Sequence, residues 1–197
     1  MYTIELDKVR KSYGDFVAVD DLSFKIEEGS VFGLLGPNGA GKTSTIRMMI
    51  GITAPDSGEI HIFGRPFDRV CLDKIGYLPE ERGLYKKMKL LDQLVFLGQL
   101  HGMNSSSARQ AALDWCDRLE ISEKLSGKVE ELSKGMQQKI QFMAALLHDP
   151  DFIIMDEPFA GLDPVNADLL KDVLLGMKKK GKTILFSTHR MDQVEKI

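Results

Sequence analysis

The stretch Val31-Phe32-Gly33-Leu34-Leu35-Gly36-Pro37-Asn38-Gly39-Ala40-Gly41-Lys42-Thr43 decides how this chain is read. Its first five residues are continuously apolar, the pattern of a strand covered on both faces in a parallel sheet. The next eight fit the spacing G-x-x-x-x-G-K-[ST] at every fixed position. A helical run follows, from Lys42 to Ile50. The glycines let successive backbone N–H groups turn inward around an anion. The helix start adds unpaired N–H groups and the positive end of its dipole. The Lys42 ammonium can reach the β- and γ-phosphates of a nucleotide, and the Thr43 hydroxyl can ligate Mg²⁺. A strand before and a helix after are the context such a loop requires. Gly36, Asn38, Gly39, Ala40, Gly41, Lys42, Thr43 and Ser44 are therefore assigned to nucleotide binding. The competing reading, a glycine-rich turn that binds nothing, has strand, loop, Lys-Thr pair and helix all against it.

Working outward, the segment before the loop reads as strands. Ile4, Leu6 and Val9 lie in a polar-alternating run, Gly14-Asp15 signals a turn, and Leu22, Phe24 and Ile26 alternate again. Glu59 to Phe63 form one more short strand. The middle changes period. Leu91, Leu94, Leu97 and His101 recur at helical spacing, as do Ala108, Ala112, Trp115 and Leu119. Ser107 and Gln110 are spaced as a capping box, and a third helix is expected from about Lys134 to His148. The stretch 84–148 thus reads as a helical insertion. In the last third, Phe152-Ile153-Ile154-Met155 is an apolar strand, Asp163-Pro164 an N-cap with proline at the first helical position, and Thr183 to Phe186 another buried strand. Strands alternating with helices imply an α/β fold with a mostly parallel sheet and right-handed crossovers. The β-rich start and the all-helical middle attach to it as subdomains.

The strand Phe152–Met155 ends in Asp156-Glu157. Terminal residues of a buried parallel strand arrive at the carboxyl edge of the sheet, where ligands of open α/β folds bind. Asp156 is the natural Mg²⁺ ligand and Glu157 a candidate general base for an attacking water. Alone, two acids at a strand end are ordinary solvated charges; the phosphate loop upstream changes their meaning.

Composition narrows the classes. The chain has 197 residues, 43% hydrophobic and 28% charged, with net charge −3. That is a globular balance with no global call for nucleic acid. The one dense basic run, Lys178 to Lys180 with Lys182, suits a solvated helix C-terminus. Cys71 and Cys116 are far apart and in no metal-ligand spacing, which argues against a disulfide scaffold or zinc site. The N-terminus has no apolar signal region, and no run of about 18 apolar residues exists to span a membrane.

These residues, in this order, resemble the nucleotide-binding domain of ABC transporters, a P-loop NTPase of RecA-like fold. The resemblance covers nearly the whole chain. Tyr13 falls where the family stacks an aromatic on adenine, and Val19 among its nucleotide-binding positions. Gly36 to Thr43 match Walker A, and Asp156 and Glu157 match Walker B and the catalytic glutamate. Glu80 falls at the Q-loop, Leu132-Ser133-Lys134-Gly135-Met136 at the signature, Gly161-Leu162-Asp163 at the D-loop and His189 at the switch histidine. The resemblance implies ATP and Mg²⁺ as cofactors. It implies Glu157, His189 and Lys42 as catalytic residues and Thr43, Glu80 and Asp156 as metal ligands. Ser133, Gly135 and Asp163 would meet the nucleotide of a second such domain in a head-to-tail dimer. A transmembrane permease subunit would hold the pair at the cytoplasmic face of a membrane.

Three departures accompany it. Glu80 replaces the family's glutamine, and Lys134 and Met136 replace a glycine and a glutamine of the signature. The family's domain continues well past the switch histidine, so 1–197 is expected to be one ATPase domain shortened at its C-terminal side. The run Tyr77 to Tyr85 resembles ATPase subunits of ABC-2-type exporters. Two rivals stand beside transport. A translation or DNA-repair ATPase of the same superfamily would bring a second domain or a long coiled coil, and the segment from Lys42 to Ser133 is too short for the latter. A binding module without turnover would not need Glu157 and His189.

Overall fold

A computed structural model describes residues 1–81 and 83–189. Arg82, within the run that carries the exporter resemblance, lies outside them. Among the described residues there are two four-stranded sheets. The first is antiparallel, in the order β2-β1-β4-β5, from β1 (Tyr2–Tyr13), β2 (Phe16–Glu27), β4 (Ser57–Ile62) and β5 (Arg65–Pro66). The second is parallel, in the order β3-β8-β7-β6, from β3 (Val31–Leu35), β6 (Ile75–Leu78), β7 (Phe152–Asp156) and β8 (Thr183–Thr188). A hydrogen bond between the Thr3 and Thr183 hydroxyls, 2.8 Å, ties one sheet to the other.

The continuous apolar runs of β7 and β8 have a direct cause: both faces of the parallel sheet are covered. Phe152, Ile154 and Leu185 pack with Ile4, Leu6, Ile26, Ile60 and Ile62 of the antiparallel sheet and with Ile46 and Met49 of α1 (Lys42–Met49). Ile153, Met155, Ile184 and Phe186 point the other way, into helices. Those helices are α2 (Leu90–Leu100), α3 (Ser105–Arg118), α4 (Lys134–Leu146) and α5 (Pro164–Lys179). Each face of a pleated strand therefore feeds a different core.

β3 departs from the expectation of burial on both faces. Val31 to Leu34 are half-buried and Leu35 is 44% exposed. Among the described residues β3 pairs only with β8, so it forms the sheet's edge. The caps also differ in one place. The helix at 105–118 is capped by Asn104, whose side chain accepts the Ser107 N–H at 2.8 Å. Ser107 lies inside the first turn, and Gln110 bonds Asp114 instead. Asn competes well for this position. Asp163 caps α5 through the Asn166 N–H with Pro164 next, and Ser133 caps α4 through the Met136 N–H.

One close approach sets the helical segment against the sheet. A Cβ at Gly76 of β6 would stand 2.1 Å from the Ala145 carbonyl oxygen. Only glycine lets α4 lie this near the strand.

The nucleotide cleft

The phosphate loop leaves β3 and closes on α1. Gly41 has φ +84, and a Cβ there would stand 2.2 Å from the Ala18 carbonyl oxygen. β2 thus crosses directly over the loop, which only a glycine in the left-handed region permits. A cleft of about 280 Å³ opens beside it. Asn38 to Ser44 form its floor, Phe16 and Ala18 one wall, and Glu80, Asp156 and Glu157 the other. Topology brings these together: β6 and β7 are neighbours in a parallel ladder, so Glu80 and Asp156 leave the same sheet edge.

Lys42 is buried, and its ammonium donates to the Gly36 and Pro37 carbonyls at 2.7 and 3.1 Å. The Thr43 hydroxyl donates to Asp156 Oδ2 at 2.8 Å. The Ser187 hydroxyl donates to Asp156 Oδ1 and accepts the Glu157 N–H at 3.2 Å. Ser187 therefore orients both acids at once. Glu157 itself has φ +49, a left-handed conformation uncommon for a non-glycine residue. Its carboxylate accepts the Thr188 hydroxyl at 3.2 Å and the His189 N–H at 2.9 Å, and meets His189 Nδ1 at 2.7 Å. Burial, then the Asp156 charge, push the Tyr77 phenol up to about 12.

The oxygen donors fit a hard cation. Thr43, Asp156 and Glu80 offer a hydroxyl and carboxylates, the set Mg²⁺ accepts beside phosphate oxygens and water. Among the described residues no group of three or more His, Cys, Asp or Glu side chains is arranged to hold a metal ion by itself.

Other expected positions lie elsewhere. Tyr13, 44% exposed, sits at the β1 turn with the Lys11 ammonium 5.8 Å from its ring centroid; Phe16, paired with it across the hairpin, lines the cleft. Val19 is buried beneath Gly41, and its neighbour Ala18 faces the cleft, as strand alternation requires. Ser133, Gly135 and Asp163 lie outside the cleft. They sit together where the N-termini of α4 and α5 adjoin: a Cβ at Gly135 would lie 3.5 Å from Asn166 Nδ2. The Asn166 N–H, then its side chain, hold the Asp163 carboxyl below its usual range. Sequence reasoning missed Ser187 and Phe16. Ser187 was visible only as a polar residue ending an apolar strand.

Parallel sheet, antiparallel sheet and phosphate loop together define a P-loop NTPase. The ABC transporter family model matches residues 19–160. The chain belongs to that family and forms its nucleotide-binding domain, a domain type that binds ATP. It is 52% identical over 194 residues to the uncharacterized ABC transporter ATP-binding protein YhaQ of Bacillus subtilis (strain 168), across 98% of this chain and 65% of that protein. It is 41% identical over 197 residues to the Nod factor export ATP-binding protein I of Paraburkholderia xenovorans (strain LB400), with the same two coverages. The chain thus spans 65% of the length of both relatives. A solved ATP binding subunit of an ABC transporter superposes with a TM-score of 0.89 at 31% identity, over 98% of this chain and 82% of that one.

Proposed function

We propose that the protein carrying this chain hydrolyses ATP to drive a membrane transporter, and that the transporter is an exporter. The observation that carries the reading is the setting of Glu157. It stands beside the phosphate loop, one residue beyond Asp156, with its carboxylate aimed by Thr188 and His189.

In this reading the γ-phosphate enters the cleft and Lys42 exchanges the Gly36 and Pro37 carbonyls for phosphate oxygens. Thr43, Asp156 and Glu80 would hold Mg²⁺, which would supply positive charge to offset that of the phosphates. Glu157 takes the proton of the attacking water, and His189 keeps the carboxylate pointed at it. Phe16, and Tyr13 at the same hairpin, are the aromatic groups available to the base.

Ser133 and Asp163 are exposed N-caps, and Gly135 lies beside them. A second copy or a homologue placed head to tail would set its ATP against these helix starts. Hydrolysis then removes the phosphate that bridges the pair, and the pair opens. The segment at Gly83-Leu84-Tyr85 is the proposed contact with a permease, which would keep the protein on the cytoplasmic face of a membrane. Among the described residues no helix is long and apolar enough to cross one itself. Similarity to a protein named for export favours that direction.

The test is ATP turnover by the intact protein, alone and with its membrane partner in proteoliposomes. Turnover that rises with the partner and vanishes in Glu157→Gln supports the reading. Tight ATP binding without turnover in either setting would overturn it.

A further inference from the structure

A chain of hydrogen bonds runs from the phosphate loop to the backbone of the candidate base. The Thr43 hydroxyl donates to Asp156 Oδ2 at 2.8 Å. The Ser187 hydroxyl donates to the other oxygen, Asp156 Oδ1. The same hydroxyl oxygen accepts the Glu157 N–H at 3.2 Å. Three segments supply the links: the start of α1, the end of β7 and β8. Register explains the last two, because Asp156 lies opposite Ser187 in the parallel ladder. Asp156 is 1% exposed and Ser187 0%, so water does not compete for these bonds and each is strengthened by its enclosure.

The backbone at Glu157 makes the last link matter. Its φ of +49 is a conformation that a non-glycine residue keeps only where its surroundings over-determine it. The Glu157 N–H is shared between the Ser187 carbonyl at 3.1 Å and the Ser187 hydroxyl at 3.2 Å. Its own carbonyl accepts the Ala160 N–H at 3.1 Å. This backbone sets the direction in which the carboxylate leaves the strand toward Thr188, His189 and the cleft. The preceding residues of β8, Ile184, Leu185 and Phe186, are apolar and buried. An apolar residue at 187 would continue that packing. What the serine adds is its pair of bonds to the two acids.

We infer that Ser187 is a positioning residue for Glu157, and that it makes the direction of the base depend on Asp156 and, through Asp156, on Thr43. This rests on the ATPase reading above. A turn of the Asp156 carboxylate carries the Ser187 hydroxyl with it, and so moves one of the two acceptors of the Glu157 N–H. Thr43 and Asp156 are the groups that would hold a metal ion in that reading. The acid assigned to the metal and the acid assigned to the proton are thereby set together. Ser187, fully buried, acts through these two acids.

The test compares Ser187→Ala and Ser187→Thr in the intact protein, by turnover and by amide exchange. Ser187→Ala removes only the hydroxyl. Displacing a catalytic group by an ångström can cost up to about a hundredfold, and kcat should fall about tenfold. ATP affinity measured without metal should stay within about twofold, since Lys42 and the loop are untouched. Ser187→Thr keeps the hydroxyl and should stay within about threefold of the parent. If kcat of Ser187→Ala stays within about twofold of the parent, or Ser187→Thr is as slow as Ser187→Ala, the inference is wrong. Amide exchange is read without nucleotide or metal. Ser187→Ala should speed exchange of the Glu157 N–H at least about threefold, and so should Asp156→Ala, which takes away the hydroxyl's acceptor. Unchanged exchange in Ser187→Ala would overturn the positioning role, and unchanged exchange in Asp156→Ala the dependence on Asp156. If Ser187→Ala does not fold, Ser187→Cys keeps the volume with a much weaker donor, with the same outcomes expected. A parent with no ATP turnover would overturn the ATPase reading; the exchange rates would still decide whether Ser187 holds the Glu157 backbone.

Discussion

Glu157 Oε1 lies 2.7 Å from His189 Nδ1 and accepts the His189 backbone N–H at 2.9 Å. The end of β7 and the end of β8 thus hold each other through one oxygen. The reverse tie is present too, because the Glu157 N–H donates to the Ser187 carbonyl at 3.1 Å. The candidate base is oriented by two consecutive residues, Thr188 at the end of β8 and His189 just beyond it.

Glu157→Gln should preserve that orientation and stop hydrolysis. Its amide oxygen still accepts the His189 N–H, but the side chain no longer takes a proton from water. Loss of general-base help is worth about 10²–10⁴ in rate. ATP binding should survive, and the closed dimer should accumulate with ATP on size-exclusion chromatography of the intact protein. Single-turnover hydrolysis within about tenfold of the parent would move the base assignment to His189.

Lys42→Ala should abolish tight Mg-ATP binding. The buried ammonium donates to the Gly36 and Pro37 carbonyls and lines the cleft, where phosphate would take their place. Titration calorimetry against the parent checks this; an unchanged affinity would remove the loop from the binding site.

Gly76→Ala should destabilise the fold without touching the cleft. Its Cβ would meet the Ala145 carbonyl at 2.1 Å, inside any real contact. Overpacking of this kind costs about 2–3 kcal/mol. Urea unfolding of the two proteins measures it directly, and an unchanged midpoint would mean that α4 moves away freely.

Acid should loosen the junction of α2 and α4. His101 and His148 stack with ring centroids 3.8 Å apart, and His148 Nε2 meets the Ile75 carbonyl at 3.1 Å. Burial, then the His101 charge, push His148 down to about 4; burial also lowers His101, against the pull of Asp73. Asp73 and Asp149 act in the opposite sense on His148. Folding therefore disfavours protonation of both rings, His148 most clearly, relative to the unfolded chain, where histidine protonates near 6.5. Their contribution is complete above about pH 6.5 and declines as pH falls toward 4. Denaturant midpoints at pH 7.5 and pH 5 should differ, and His148→Gln should narrow the difference. An equal difference in the variant would place the acid sensitivity elsewhere.

What the chain announces about itself follows from distance along the sequence. The phosphate loop, the acids at the end of β7 and the Asp163-Pro164 cap are local patterns, and each is legible in a few residues. The helix 90–100 is legible as a helix, but its buried stripe is not. Leu91 and Leu97 are half-buried, whereas Gln93 is fully enclosed together with Leu90 and Leu94. A polar residue on an apolar face gains its meaning only from Tyr85, whose N–H it accepts at 3.0 Å. Ser187 is the same case, since its two acids lie on another strand. The half-burial of β3 depends on where that strand falls in the sheet order, which its own apolar run does not contain.

The pairing of Val31 with Ile184 also governs the order in which the molecule is built. A ribosome delivers the phosphate loop early and β8 late. At roughly 5–20 residues per second, the intervening stretch of about 140 residues takes roughly 7–28 s to emerge. Throughout that interval β3 has no β8 to pair with, and the Walker B strand arrives before the strand that separates them. A nascent chain therefore carries the complete phosphate loop long before it can secure it, and maturation of the nucleotide site waits on the last described strand.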